Sequence, residues 1–162
     1  YAGTQLLPES QLDRFIVRLS MGYPDPLSEA SILRQKSIET ALPGITPVVS
    51  AAGLIRMQEE ADAVHVDESL YGYIVELVGR TRKHELIELG ASPRGSIALM
   101  RMAKLKAFYL GRNYLLPSDV QEVFLPSMVH RVLLRPKARV ANVGPSEILL
   151  DILHSVPAPR IG

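Results

Sequence analysis

No cysteine occurs anywhere in the 162 residues, and no tryptophan either. The first absence excludes disulfides, thiolate catalysis and cysteine-based zinc sites. Charge of either sign is also in short surplus: 18 basic residues meet 17 acidic ones, a formal net charge of +1. That balance argues against a nucleic-acid binder driven by phosphate neutralisation. No apolar run approaches the roughly 20 residues that a bilayer-spanning helix needs, so membrane insertion is not expected. The start Tyr-Ala-Gly-Thr has neither a basic region nor an apolar core, so it is not a signal peptide. A phosphate-binding loop of the Gly-x-x-x-x-Gly-Lys type is missing too. A first residue of Tyr1 rather than Met leads us to expect a piece of a larger protein, and the composition fits a cytoplasmic one.

What is present is a folded composition, 47% hydrophobic and 22% charged, long enough for one domain with a sizeable core. Residues 8–15 suggest a short helix. Residues 16–21, Ile-Val-Arg-Leu-Ser-Met, read as one short strand before Gly22-Tyr23-Pro24-Asp25-Pro26. Beyond Pro26 the pattern is helical. Ser28 is expected to cap a helix to about Thr40, and Ser50 a second helix with Leu54, Met57, Ala61 and Val64 on one stripe. Asp67 should cap a third, whose Leu70, Tyr71, Ile74, Leu77, Val78 and Thr81 share a face at helical spacing. A fourth runs from Pro93-Arg94 to about Arg112. Its apolar face is Leu99, Met100, Ala103, Ala107 and Leu110, and Arg94, Arg101 and Arg112 cluster on the other side. Tyr71, Tyr73, Phe108 and Tyr109 are expected in the core. Ser118 and Gln121 have capping-box spacing for a fifth helix, which continues through Val132. Past Leu134 the segment Arg135-Pro136-Lys137-Ala138-Arg139 is basic and polar, and Ser146 to His154 reads as one more short helix with Ile148, Leu149 and Ile152 apolar.

The fold class expected is therefore mainly α: a bundle of about five helices preceded by a short helix-strand stub of another domain. The boundaries fall at residues 1–24 for the stub, 25–134 for the bundle and 135–162 for a C-terminal tail.

Two arginines stand out. Arg14 follows Asp13 at the end of the short first helix. It reads either as an arginine aimed at a phosphate or as half of a salt bridge with Asp13 or Glu9. Arg94 lies in the first turn of a helix, after Ser92-Pro93. Proline suits that position because its missing N–H would be unpaired there. Helix N-termini favour anions, and an arginine placed there opposes the dipole, which suggests a task; the alternative is an exposed or capping residue. Arg82, in the run Arg80, Arg82, Lys83, His84, either complements the C-terminal dipole of the third helix or buttresses the same pocket. His65, His84, His130 and His154 share no metal spacing, so no metal site is expected. His130-Arg131 reads as a packed, hydrogen-bonded helix end. No nucleophile elbow is present.

These motifs, in this order, resemble the MoxR family of AAA+ ATPases. They are Gly3-Thr4, Leu7-Pro8-Glu9-Ser10-Gln11-Leu12-Asp13-Arg14-Phe15, Tyr73-Ile74-Val75 with Thr81-Arg82, Leu89-Gly90-Ala91-Ser92-Pro93-Arg94, Ala98-Leu99 through Gly111-Arg112, Pro117-Ser118-Asp119-Val120 and His130-Arg131. The resemblance covers roughly residues 3 to 134. Ser10 and Gly95 stand where the family commonly has alanine. It implies that residues 1–24 end the nucleotide-binding core and that residues 25–134 form the helical lid. It further implies that Arg14 is an arginine finger and Arg94 the second-sensor arginine, with Ser92 and Pro93 beside it and Arg82 in support. ATP and Mg2+ would be the cofactors, with most of their ligands in a core this chain does not contain. The full-length protein would self-associate into a ring, a hexamer by the family's habit, and act as a chaperone on client proteins such as those with von Willebrand A domains. A fragment without the phosphate-binding loop should not hydrolyse ATP. Related ring ATPases, magnesium-chelatase-like or helicase-like, and a non-catalytic helical interaction module are the alternatives.

Overall fold

A computed structural model describes residues 7–34 and 45–161. Gly3-Thr4 and the expected helical stretch beyond Arg34 lie outside the described residues. The elements in chain order are α1 (Glu9–Leu12), α2 (Pro26–Arg34), α3 (Ala51–Asp62), α4 (Glu68–Lys83), β1 (Ile87–Leu89), α5 (Pro93–Tyr109), α6 (Pro117–Met128), β2 (Leu133–Leu134), α7 (Pro136–Val140) and α8 (Pro145–Ser155). The mainly α helical fold is as expected, with α2 to α6 as its five helices between residues 25 and 134. The chain divides into two compact units, Leu19–Gln58 and the remainder.

In the smaller unit, α2 is capped by Asp25 rather than Ser28. The Asp25 carboxylate accepts the backbone N–H groups of Leu27 (3.0 Å) and Ser28 (3.1 Å) and the Ser28 hydroxyl (2.7 Å). These bonds hold its pKa below the usual carboxylate value, the Ser28 hydroxyl first among them. An ionised carboxylate is the stronger acceptor and lies at the favourable end of the dipole, so it outcompetes the nearby serine. Ser50 caps α3 as expected, its Oγ accepting the Gly53 N–H at 3.1 Å. Leu54 and Met57 on α3 are exposed.

In the larger unit, the core is built from α4, α5, α6 and α8 with the β1–β2 pair. Leu70, Ile74, Leu77 and Val78 of α4 meet Leu99, Ala103 and Ala107 of α5, Val120, Phe124 and Met128 of α6, and Ile148, Leu149 and Ile152 of α8. Alanines on α5 let its backbone approach α6 closely, and these two helices make the most extensive contact among the described elements. Asp67 caps α4 by accepting the Ser69 N–H at 2.9 Å. The buried tyrosine of α4 is Tyr73, not Tyr71; Tyr73 is 4% exposed and Tyr71 46%. Of the other aromatics expected inside, Phe108 is half-buried and Tyr109 is exposed, because α5 ends there. Leu110 is exposed and Gly111 takes a positive φ of 72°, the left-handed geometry that stops the helix. Helix α6 is closed not by Ser118 and Gln121 but by Asp119, whose carboxylate accepts the Leu116 N–H at 2.8 Å. It ends at Met128, short of Val132.

The strand expected over residues 16–21 is not formed. An isolated extended segment has no ladder partner; here the Arg18 N–H donates to the Pro126 carbonyl at 2.9 Å instead. The strands that do form are the antiparallel pair β1 and β2, with Ile87 opposite Leu134 and Leu89 opposite Leu133. Among the described residues no helix is long and apolar enough to cross a membrane.

Candidate functional site

The first turn of α5 is set by four residues with different tasks. Gly90 lies against the end of α4, where a Cβ would stand 2.6 Å from the backbone of Arg82. Ala91 donates its N–H to Thr81 Oγ1 (3.0 Å), and that buried hydroxyl donates to the Val78 carbonyl (2.7 Å). Arg82 Nε donates to the Ala91 carbonyl at 2.7 Å. Ser92 then caps α5, its Oγ accepting the Arg94 N–H at 3.1 Å, with Pro93 in the first helical turn. Arg82 therefore buttresses the loop that starts α5, from one residue before the cap. It does not line the cavity described next.

That cavity, ≈ 370 Å³, is lined by Asp13, Arg14, Ile16, Arg94, Ile97, Ala98, Arg101 and Arg131. It brings together Arg14 and Arg94, the two arginines singled out in the sequence. Ser92 and Pro93 do not line it. Arg101, seven residues along the same helix from Arg94, joins them; the periodic placement of the α5 arginines was the signal for it. Arg112 does not belong to this group. It pairs with the buried Asp119 on the far side of α5's end.

Arg14 is exposed, and the salt bridge with Asp13 that the sequence allowed is not made. The Asp13 carboxylate serves other partners: the Ser92 hydroxyl donates to its Oδ2 (2.8 Å), and Arg131 Nη1 donates to its Oδ1 (2.6 Å). Arg131 also donates to the Asp13 carbonyl through Nη1 (2.6 Å), to the Phe15 carbonyl through Nη2 (2.6 Å) and to Ser127 O through Nε (2.9 Å). Its side chain is only 2% exposed. His130 Nε2 lies 2.7 Å from the same Phe15 carbonyl, so that nitrogen carries the proton and donates. Burial, then the neighbouring Arg131 and Arg18 charges, lower the His130 pKa against the opposing pull of the Phe15 carbonyl. The sequence offered Asp13 only as a partner for Arg14, and His130-Arg131 only as a packed, hydrogen-bonded helix end, which it is; that Asp13 and Arg131 pair was not legible, because the two are 118 residues apart and only the fold joins them.

Arg14, Arg94 and Arg101 have no ion-pair partner among the described residues. Four guanidinium groups thus face a single carboxylate that is already engaged. Uncompensated like charges around one cavity repel each other and favour a bound anion, and guanidinium groups match phosphate oxygens geometrically. The size of the cavity and its donors fit a polyphosphate. Among the described residues no group of three His, Asp or Glu converges to hold a metal ion.

Residues 79–152 match the family model for the AAA lid domain. Over 98% of its length the chain is 38% identical to protein YeaC of Bacillus subtilis, covering 50% of it. It is 32% identical to chaperone MoxR1 of Mycobacterium tuberculosis over 99% of the chain and 45% of that protein. Protein MoxR of Methylorubrum extorquens is 31% identical, over 94% of the chain and 50% of that protein. The crystal structure of a protein titled "putative ATPase" from Cytophaga hutchinsonii superposes with a TM-score of 0.86 at 34% identity, covering 98% of this chain and 51% of that one. The chain spans about half the length of the relatives it matches. With its lid helices, its arginine-lined cavity and these relatives taken together, the chain belongs to the MoxR-like AAA+ family.

Proposed function

We propose that this chain is the part of a MoxR-like ATPase that supplies arginines to the terminal phosphates of ATP. The observation that supports this best is that Arg14 and Arg94 open onto one cavity without an ion-pair partner among the described residues. Arg14 is the arginine finger and Arg94 the second-sensor arginine. Both belong to one chain and one cavity, so both approach the same nucleotide from the same subunit. If the finger serves the neighbouring subunit of a ring, Arg94 serves it too. Ser92 and Pro93 set the direction of Arg94, and Arg82 holds the loop in front of them.

ATP and Mg2+ are the cofactors of this proposal. The metal and the phosphate-binding lysine come from a nucleotide-binding core, and Mg2+ shields the charge that develops on the transferred phosphoryl group. The arginines stabilise that charge from the other side, in a site where fixed donors need no reorganisation. Residues 1–24 end the core, 25–134 form the lid and 135–162 complete the lid from behind. The full-length protein assembles into a ring, a hexamer, in the cytoplasm, and uses hydrolysis to drive chaperone-like activation of client proteins, those with von Willebrand A domains among them.

The test is on the full-length protein. Arg14→Ala should leave ATP binding intact and lower the hydrolysis rate by about 10³–10⁵-fold. Arg94→Ala should lower it as well. Normal turnover in both purified variants would remove the assignment.

A further inference from the structure

Asp13 lines the same cavity as the two arginines and touches the mountings of both. Its Oδ1 is held by Arg131 at 2.6 Å and its Oδ2 by the Ser92 hydroxyl at 2.8 Å. Arg131 grips the backbone on each side of Arg14, at the carbonyls of Asp13 and Phe15. Arg131 is itself anchored to α6 through the Ser127 carbonyl. Ser92 in turn caps the helix that carries Arg94, two residues further on. A single carboxylate therefore ties the turn bearing Arg14 to the start of the helix bearing Arg94, across 79 residues of sequence.

By charge alone, Asp13 is a poor neighbour for a phosphate. It lines the same cavity, and a carboxylate there repels an anion. Its place is explained by geometry: an arginine on an exposed turn has many rotamers and backbone states, and fixing the turn removes the entropy that phosphate binding would otherwise cost. We infer that Asp13, clamped by Arg131, is a positioning residue that holds Arg14 and Arg94 at the spacing one polyphosphate requires. The inference rests on reading the cavity as a polyphosphate site.

The two effects of Asp13 predict opposite signs for one substitution. Asp13→Asn keeps the shape but removes the negative charge. Pure electrostatics then predicts tighter anion binding, and positioning predicts weaker binding. Inorganic triphosphate titrated into this chain by calorimetry, at fixed low salt, reads the difference. We expect Asp13→Asn to weaken binding about tenfold or more, comparable to the loss from Arg14→Ala, since a hydrogen bond to a charged group is worth about that factor. The double variant Asp13→Asn with Arg14→Ala should bind less weakly than the two single losses multiplied together predict, because part of the effect of Asp13 passes through Arg14 and only the part through Arg94 remains. Arg131→Lys, which keeps the charge but not the two-pronged grip, should also weaken binding. Equal or tighter binding by Asp13→Asn, with Arg14→Ala weakened, overturns the positioning role and leaves the phosphate site standing. Unchanged binding in both Arg14→Ala and Arg94→Ala overturns the site and the inference together.

Discussion

Asp119 is the most heavily committed side chain outside the cavity. It is 1% exposed, pairs with both Nη atoms of Arg112 and accepts the Leu116 N–H that opens α6. Removing one partner of a buried pair leaves the other charge stranded, so Asp119→Ala should cost about 3–5 kcal/mol. Chemical denaturation of the wild type and the variant measures it. His130 is the residue whose protonation the fold opposes. Its ordinary value is 6.5 and burial lowers it in the native state; among the described residues its buried Nδ1 has no hydrogen-bond partner. The unfolded chain therefore binds the proton more readily. Stability should be intact above 6.5 and should fall as pH drops from 6.5 through the lowered native value. Denaturation midpoints between about pH 8 and 5 should show this slope, and His130→Gln should flatten it.

Helix α4 forms although Gly72 and Gly79 weaken its intrinsic propensity; its buried face holds it in the core, and its start depends on Asp67. Asp67→Ala removes the acceptor for the Ser69 N–H and should lower the unfolding temperature. Thermal unfolding checks it, and Asp67→Asn, another good cap, should recover most of the loss. The tyrosines of α4 mark the limit of periodicity at this scale. Tyr71 and Tyr73 flank the Leu70–Ile74–Leu77 stripe on opposite sides, and spacing does not say which side another helix will cover. Tyr73 is covered, and its hydroxyl accepts a bond from Gln121 of α6 at 3.2 Å. The same limit explains α2 and α6. Several residues near each start could cap it, and the winner in both cases is a carboxylate, Asp25 or Asp119.

For the molecule as a whole, α8 is part of the core. Ile148, Leu149, Ile152 and Val156 are buried in the cluster formed by α4, α5 and α6. Burying such a side chain is worth about 1.5–3 kcal/mol, so the four together rival a whole domain's stability of about 5–15 kcal/mol. A chain ending at residue 140 should lose its cooperative thermal transition, which calorimetry would report. The helical bundle, the caps at Ser50 and Asp67, and the Arg14 and Arg94 candidates were legible from the sequence, because each rests on contacts within a few residues or on a recurring motif. The pairing of Ile87–Leu89 with Leu133–Leu134 was not, since strands of two and three residues carry no periodic signal of their own. Nor was the absence of a strand over residues 16–21, where local composition favours an extended chain and only a partner could make it a sheet.

Local chemistry along the chain determined which segments coil, where most of them begin, and which arginines stand without an obvious structural task. Tertiary structure decided that Arg14, Arg94 and Arg101 share one cavity, and that Asp13 and Arg131 meet. The reason is one of range: caps and amphipathic faces are settled between residues a turn or two apart, whereas an ion pair spanning 118 residues exists only once α5 and α6 have packed.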